Sequence, residues 1–573
     1  MNLLFEKNIA VFALVFPELA HLIRAVAESE STTCAASGSD AELPLELEPR
    51  TSPHIEIMLG VPQVGVILQA LSRGSSICLF ATEVSALYHL FEQTDLSVAL
   101  SAGLLSVHYL PVTSPVVQEL SIRTAIARLM DYLRRGLILY WYLAPPVSDA
   151  MTLIANGLRR QVEKMTALLA VPVPANPVYD VIVLNPRCAI FDDVAKCFAE
   201  LGLRTKKIDV PDVSQTLTQE QKLTALQLIR REPGRLLITR NRVFLETEDL
   251  WDLVRPELLL EQKHIAWWWD SPNPASFIDL FYPAAGQTTH LAFARELLVC
   301  LPEGSQWLCA GARSDFVKVP ALDTRPTYRY LLSFVGQSRL GAMQQNWRDL
   351  GHTLHVLGAQ EAADFFTADL TQWKFLSQAY AHLLQHQATI DAAIERCRRL
   401  LPVHGYYLDY LFRMLSTGLF RLAAVEQVIA AGLPLQLWGD AEWLNVPGVN
   451  LNNYRGILPP EQLVDVYRNS QINLNFNFMQ VSSTVNPKVL DCAAAGGLVL
   501  TDWRPELDIL YPDPAVRPLS FRTIEELLQK IPQILQTDML GHCVAVQHHT
   551  RLNHSLLQRV EHIAMSAGLL RSV

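Results

Sequence analysis

Short apolar runs alternate along this chain with longer segments whose apolar positions recur at spacings of three and four. That alternation predicts strands joined by helices. Strand-like runs fall at 54–60, 77–83 and 105–110, after a Ser/Thr/Ala/Gly-rich and then Glu/Pro-rich stretch at 29–53 that reads as a mobile loop. Residues 115–170 carry helical spacing, and the sequence VPVPANP at 171–177 then interrupts it as a linker. A second alternation has strand-like runs at 179–184, 205–210, 234–239 and 264–268 and a helix at 191–201, and it ends near Pro326. A third opens with a strand at 330–335 and a long helical stretch at 360–430. It continues through runs at 433–438 and 472–478 with a helix at 459–469 between them, and closes on a helix at 552–564. Strands alternating with helices predict parallel, doubly wound sheets. The expectation is an α/β chain with two Rossmann-like domains, 178–326 and 327–573, after an accessory α/β-helical domain at 1–172. No repeat at solenoid periods is present.

The stretch SSTVNPKVLDCAAAGGLVLTD at 482–502 carries the most chemistry. Asn486 caps a helix, and Pro487 suits its first position because that amide has no helical partner. Gly496 and Gly497 stop the helix, and Leu498 to Thr501 form a buried strand running into Asp502. Such a unit turns backbone amides and a carboxylate toward the carboxyl edge of a sheet, where nucleotides bind in doubly wound folds. Nucleotide-sugar chemistry is therefore the leading expectation.

Composition narrows this further. With 573 residues, half of them apolar and 18% charged, the chain builds large cores. A formal net charge of −10 offers no basic surplus for a nucleic-acid backbone. Nine scattered cysteines without a CxxC or zinc-ligand spacing fit reduced thiols and a cytoplasmic location. The apolar run at 9–16 lacks a basic leader and a cleavage site, and the run at 137–146 is too short to span a bilayer. No acidic pair is placed to hold a metal, and no cofactor is expected beyond a nucleotide-sugar co-substrate.

Several motifs together resemble the CgeB-like, spore-maturation-protein-like glycosyltransferases of bacteria, which have the GT-B fold. They are HIAWWWDSP at 264–272, LSFVG at 332–336, LQLWG at 435–439 and the run 475–502, followed by HHT at 548–550 and RV at 559–560. The resemblance spans roughly residues 178–565. FPEL at 16–19, LG at 59–60 and CLFATE at 78–83 are faintly similar to the N-terminal part of motility-associated Maf proteins, which act on flagellins. The resemblance implies a metal-independent hexosyltransferase-type enzyme with two Rossmann-like domains facing a cleft, a nucleotide-sugar donor and a protein or glycan acceptor. Residues 1–172 would then meet a protein partner.

The resemblance also assigns roles. Asp491, five residues before Gly496, would hold the ribose hydroxyls, since a carboxylate accepts two bonds from a cis-diol. In retaining relatives a further acid stands where this chain has Ser483, which leaves the stereochemistry open. Lys488 replaces a customary arginine and would neutralise the leaving diphosphate as a point charge. Gly336, Ser338 and Arg339 follow the first strand of the third alternation, where a βα turn cradles phosphate. Gly439 ends another strand. Asn475, with Asn473 and Asn477, forms a polar face of the strand at 472–478 that either is a solvated edge or lines the donor cleft. Asp270, after three tryptophans, is a candidate general base or a turn former before Ser271-Pro272, and His290 is a second candidate base. Each has an ordinary structural alternative: an exposed lysine, a solvated carboxylate, a helix-capping glycine. A catalytically weakened scaffold and another nucleotide-sugar enzyme, such as an epimerase, remain the competing functional readings.

Overall fold

The computed structural model describes residues 54–59, 64–72, 76–81, 84–93, 95–102, 105–109, 138–143, 166–168, 170–185, 188–210, 219–240, 262–269, 288–324, 327–400, 402–477 and 481–570, together with Ala10. The loop expected at 29–53, most of the helical stretch at 115–170 and Asp270 lie outside them. The chain divides into two compact units, one formed by 1–174, 216–231 and 247–261, the other by 175–215, 232–246 and 262–573.

The first unit holds a parallel sheet of β1 (His54–Leu59), β2 (Ser76–Ala81), β3 (Leu105–Tyr109) and β4 (Ile138–Leu143), in the order β3-β2-β1-β4. β4 corrects the sequence reading, which placed a helix there. Its six residues, ILYWYL, are apolar or aromatic throughout, and such an unbroken run satisfies helical spacing as well as a strand.

The second unit contains two further parallel sheets. One runs β10-β9-β8-β7-β5-β6, from β5 (Tyr179–Asn185), β6 (Thr205–Asp209), β7 (Gly234–Arg240), β8 (Lys263–Trp268), β9 (Thr288–Ala292) and β10 (Gln306–Trp307). The other runs β12-β11-β13-β14-β15, from β11 (Tyr330–Val335), β12 (Leu435–Trp438), β13 (Ser470–Asn475), β14 (Val499–Asp502) and β15 (Leu519–Phe521). This is the α/β architecture with two Rossmann-like sheets that a GT-B fold requires. β9, β10 and β15 had no counterpart in the apolar pattern. β9 (TTHLA) is half polar, and the other two are two and three residues long.

Two cores serve these sheets. One joins β5, β7, β8 and β9 to helices of the last sheet, Pro487–Ala495 and Leu556–Ser566 among them, so the two halves share apolar packing. Trp267 and Trp268 are fully buried in it. The other packs β11, β12 and β13 against the long helices Leu376–Leu400 and Pro402–Ala430. The closing helix expected at 552–564 is two helices, Leu540–Asn553 and Leu556–Ser566, parted at His554–Ser555. Ser555 and Gln558 form a capping box that starts the second one.

Beside this break, Ala312 N donates to His554 O at 2.7 Å and Leu556 N to Ala312 O at 2.8 Å. A Cβ on Gly311 would lie 2.4 Å from Leu556 N, so only glycine admits this approach. Gly311→Ala is expected to cost about 1–3 kcal/mol in chemical denaturation. Gly541→Ala, in a helix and with nothing within 4 Å, serves as the control and should be neutral or mildly stabilising.

Candidate functional site

The carboxyl ends of β12, β11 and β13 stand side by side because these strands are neighbours in the sheet. After β11 the chain turns through Gly336, Gln337, Ser338 and Arg339 into the helix Leu340–Val356. Gly336 N donates to Trp438 O at 2.9 Å, and Gly336 O accepts from Trp443 Nε1 at 2.7 Å. A Cβ on Gly439 would fall 2.1 Å from Gly336 O, which explains the glycine at the end of β12. Ser338 is buried and bound to Asp440, its amide and its hydroxyl each donating at 2.6 Å. Arg339 is the single non-glycine residue with positive φ among the described residues, at 53°, a conformation that costs an L-residue roughly 1–2 kcal/mol.

The helix Pro487–Ala495 begins as the sequence predicts. Asn486 caps it by accepting from Lys488 N at 3.1 Å, and Pro487 occupies the first turn. Its amides are less open than expected, however. Pro487 has none, and Lys488 N and Val489 N are taken by the Asn486 side chain and carbonyl. What remains is the positive end of the helix dipole and the Lys488 ammonium, which donates to Val335 O at 3.0 Å. Lys488 is exposed as a residue, while its ammonium lies against the turn at Val335 and Gly336. Desolvation, then the charges of Arg421 and Arg313, push its ammonium down to about 8, with Asp491 acting the other way.

Arg421 and Arg313 escaped the sequence reading. Arg421 lies buried in the long helix Pro402–Ala430 and donates to Gln337 O at 2.8 Å and Phe476 O at 3.0 Å, so it ties the turns after β11 and β13 together. Burial, then the charge of Arg339, lowers it to about 9. A single arginine inside LFRLAAV was the available signal. Arg313 comes from the other Rossmann-like half.

Asp491 is almost wholly buried, and both its oxygens are committed to Arg313. The Arg313 amide donates to Oδ1 and Nε to Oδ2, each at 2.9 Å. Burial pushes the Asp491 carboxyl up while Arg313 works against it. In this arrangement the ribose role requires the pair to open. Asn475 is likewise engaged. The register that sets it opposite Thr501 lets Nδ2 donate to Thr501 Oγ1 at 2.9 Å, and its Oδ1 accepts from Asn486 Nδ2 at 3.0 Å. Asn473 accepts from Ser333 at 2.9 Å, and Asn477 donates to Asp502 at 2.8 Å. All three asparagines are buried, so this face is an internal polar ladder rather than a solvated edge.

Gly496 and Gly497 stand at the far end of the helix from Lys488, ahead of β14 rather than at its carboxyl edge. Gly496, at φ 90°, makes the left-handed cap, and a Cβ on Gly497 would lie 2.7 Å from Tyr467 O. Both positions answer to packing. In the first half, His290 Nδ1 accepts from Trp268 Nε1 at 2.9 Å, which leaves the imidazole proton on Nε2 and makes that atom a donor. Ser483, the position at which the resemblance places an acid in retaining relatives, does meet a carboxylate: its hydroxyl donates to Glu506 Oε1 at 2.7 Å. Among the described residues no group of three or more His, Cys, Asp or Glu side chains is placed to hold a metal ion. None of the described helices is long and apolar enough to cross a membrane.

Residues 420–564 match a family model described as glycosyl transferase-like. No curated protein matches the chain. Among solved structures, the chain is similar to a glycosyltransferase from Rickettsia africae ESF-5, at 12% identity over 69% of this chain and 99% of that one, with a TM-score of 0.36. The phage T4 β-glucosyltransferase aligns at 8% identity over 68% and 99%, also with a TM-score of 0.36. The N-terminal domain of Candida albicans trehalose-6-phosphate phosphatase aligns at 8% identity over 92% and 98%, with a TM-score of 0.29. Likenesses of that size fix neither fold nor activity. The family match does coincide with the site, because Arg421, Lys488, Asp491 and Glu506 all fall inside the glycosyl transferase-like segment.

Removing one partner of a buried ion pair strands the other, so Asp491→Ala is expected to lose roughly 3–5 kcal/mol of stability in denaturant titration. Its nucleotide binding must therefore be measured per folded molecule.

Proposed function

We propose that the chain is a glycosyltransferase that takes a nucleotide-sugar in its second Rossmann-like half and transfers the sugar to a protein or glycan acceptor. The observation that carries this reading is the gathering of Lys488, Arg421 and Arg313 around the carboxyl edge of β11 and β13, within a segment that matches a glycosyl transferase-like family. As the glycosidic bond breaks, the leaving diphosphate gains negative charge. A preorganised ammonium beside a helix N-terminus stabilises that charge more than it stabilises the bound donor. These groups supply the charge a divalent cation otherwise brings, which supports metal-independent transfer.

In this mechanism Arg421 holds the two strand-end turns at fixed spacing, and Lys488 contacts the diphosphate. Gly336, Arg339 and Gly439 bring backbone close to the donor. Asp491 reaches a ribose diol only after releasing Arg313. Asp270 is the candidate for removing the acceptor proton, and His290, whose Nδ1 is engaged by Trp268, is the second candidate. The donor sugar is a hexose on this reading, the enzyme works in the cytoplasm with reduced thiols, and residues 1–172 recognise a protein partner.

Titration calorimetry with nucleoside diphosphates and a panel of nucleotide-sugars, alongside donor hydrolysis, tests the proposal. Lys488→Gln removes one charge-assisted contact and should weaken diphosphate binding about 10–100-fold at pH 7. Lys488 loses its proton as the pH rises through about 8, so wild-type affinity should fall between pH 7 and pH 9 while the variant stays flat. Wild-type protein that neither binds nor hydrolyses any donor would instead favour the scaffold reading.

A further inference from the structure

We propose that Glu506 is a positioning residue, tying the loop that carries Asn486 and Lys488 to the other Rossmann-like half. Its effect on turnover rests on the transferase reading above, while the clamp rests on geometry alone. Glu506 is 1% exposed, on the short helix Pro505–Leu510 after β14. Its Oε1 accepts from Arg295 N at 2.6 Å and from Ser483 Oγ at 2.7 Å, and its Oε2 accepts from Trp307 Nε1 at 3.1 Å. Arg295 and Trp307 belong to the first half, just after β9 and in β10. The Arg295 guanidinium also lies 4.4 Å from the Trp307 ring centroid. Glu506 N returns a bond to Ser483 O at 2.8 Å, so the serine is held by backbone and side chain.

A second carboxylate grips the preceding residue. Glu296, next to Arg295, accepts from the Ser482 amide and, at 2.6 Å, from the Ser482 hydroxyl. Arg413 of the long helix donates to Glu296 at 3.1 Å and to Ser482 Oγ at 3.0 Å. Consecutive serines are thus fixed by two acids, one from each half. A few residues on, Asn486 N donates to Asn477 Oδ1 at 2.8 Å, and Lys488 follows in the first turn of the helix. Ser483 and Asn486 are thus the two anchors of the short run that leads into the helix start and sets where Lys488 projects.

The need for a carboxylate follows from the partners. All three side-chain contacts of Glu506 are donors, so an acceptor-only group satisfies them, whereas an amide would set its own N–H against one of them. A purely structural pin would change stability alone. A positioning residue also changes the transition-state contact that Lys488 makes.

Three variants of the full chain separate these outcomes. Ser483→Ala removes the side-chain bond of the loop arm and keeps the one from Glu506 N to Ser483 O, Trp307→Phe removes one of the two first-half bonds and keeps that from Arg295 N, and Glu506→Gln perturbs both arms. Hydrogen exchange followed by mass spectrometry should show amides of 482–488 exchanging about tenfold faster in each, with β13 amides unchanged. In a donor-hydrolysis assay, kcat per folded molecule should fall about tenfold while nucleotide Kd stays within about twofold. Unchanged exchange in Ser483→Ala and Trp307→Phe, or a kcat that falls only with the folded fraction, overturns the role. Absence of nucleotide binding in the wild type overturns the transferase reading instead, and the exchange measurement still decides the clamp.

Discussion

A charge inside the protein has to be balanced, and the buried Asp491 carboxylate is balanced from the opposite half of the second unit by Arg313. Much of the site's geometry depends on that pair. Asp491 sits on the helix Pro487–Ala495, so the contact fixes how this helix faces the first half and where its opening residue, Lys488, projects. The shared core around Trp267 and Trp268, together with the backbone contact at Gly311, keeps Arg313 within reach. A buried carboxylate paired with a half-buried guanidinium is a costly arrangement, and a hydrophobic pair would often be as stable. What the ions add is direction, because Asp491 takes one bond from the Arg313 amide and one from Nε, which fixes backbone and guanidinium together.

Around this pair the site is built mainly from groups that satisfy one another. The asparagines of β13, the cap at Asn486, the Ser338–Asp440 contact and the Glu506 bonds leave few buried polar atoms open. Positive charge is the exception. Lys488 and Arg421 are both pushed below their ordinary values, by desolvation first, then by Arg421, Arg313 and Arg339 at Lys488 and by Arg339 at Arg421. A folded protein tolerates such an excess where an anion is to arrive, and the carboxyl edge of a parallel sheet is where anions arrive in doubly wound folds.

The sequence reading was most accurate where a local cause governs. The Asn-Pro start and glycine stop of the Pro487–Ala495 helix, the strand Tyr330–Val335 and the alternation behind the two later sheets are all local signals. It went astray at Ile138–Leu143, where an unbroken apolar run carries no period. The asparagine face of β13 was noticed and left between two readings. Burial, with bonds to Thr501 of the neighbouring β14 and to the Asn486 cap, makes it an internal ladder.

By itself, the sequence determined the fold class, the elements with strong caps or punctuation, and the candidacy of Lys488 and Asp491 as the charged pair of the motif. The tertiary structure alone decided that Asp491 faces Arg313, that Arg421 bridges two strand-end turns, and that the carboxylate at Ser483 comes from Glu506. The reason is physical. Caps and periodicities act over a few residues, whereas these contacts join positions separated by 178, 84 and 23 residues. Only the order of strands in the sheets and the packing of the two halves bring such positions together.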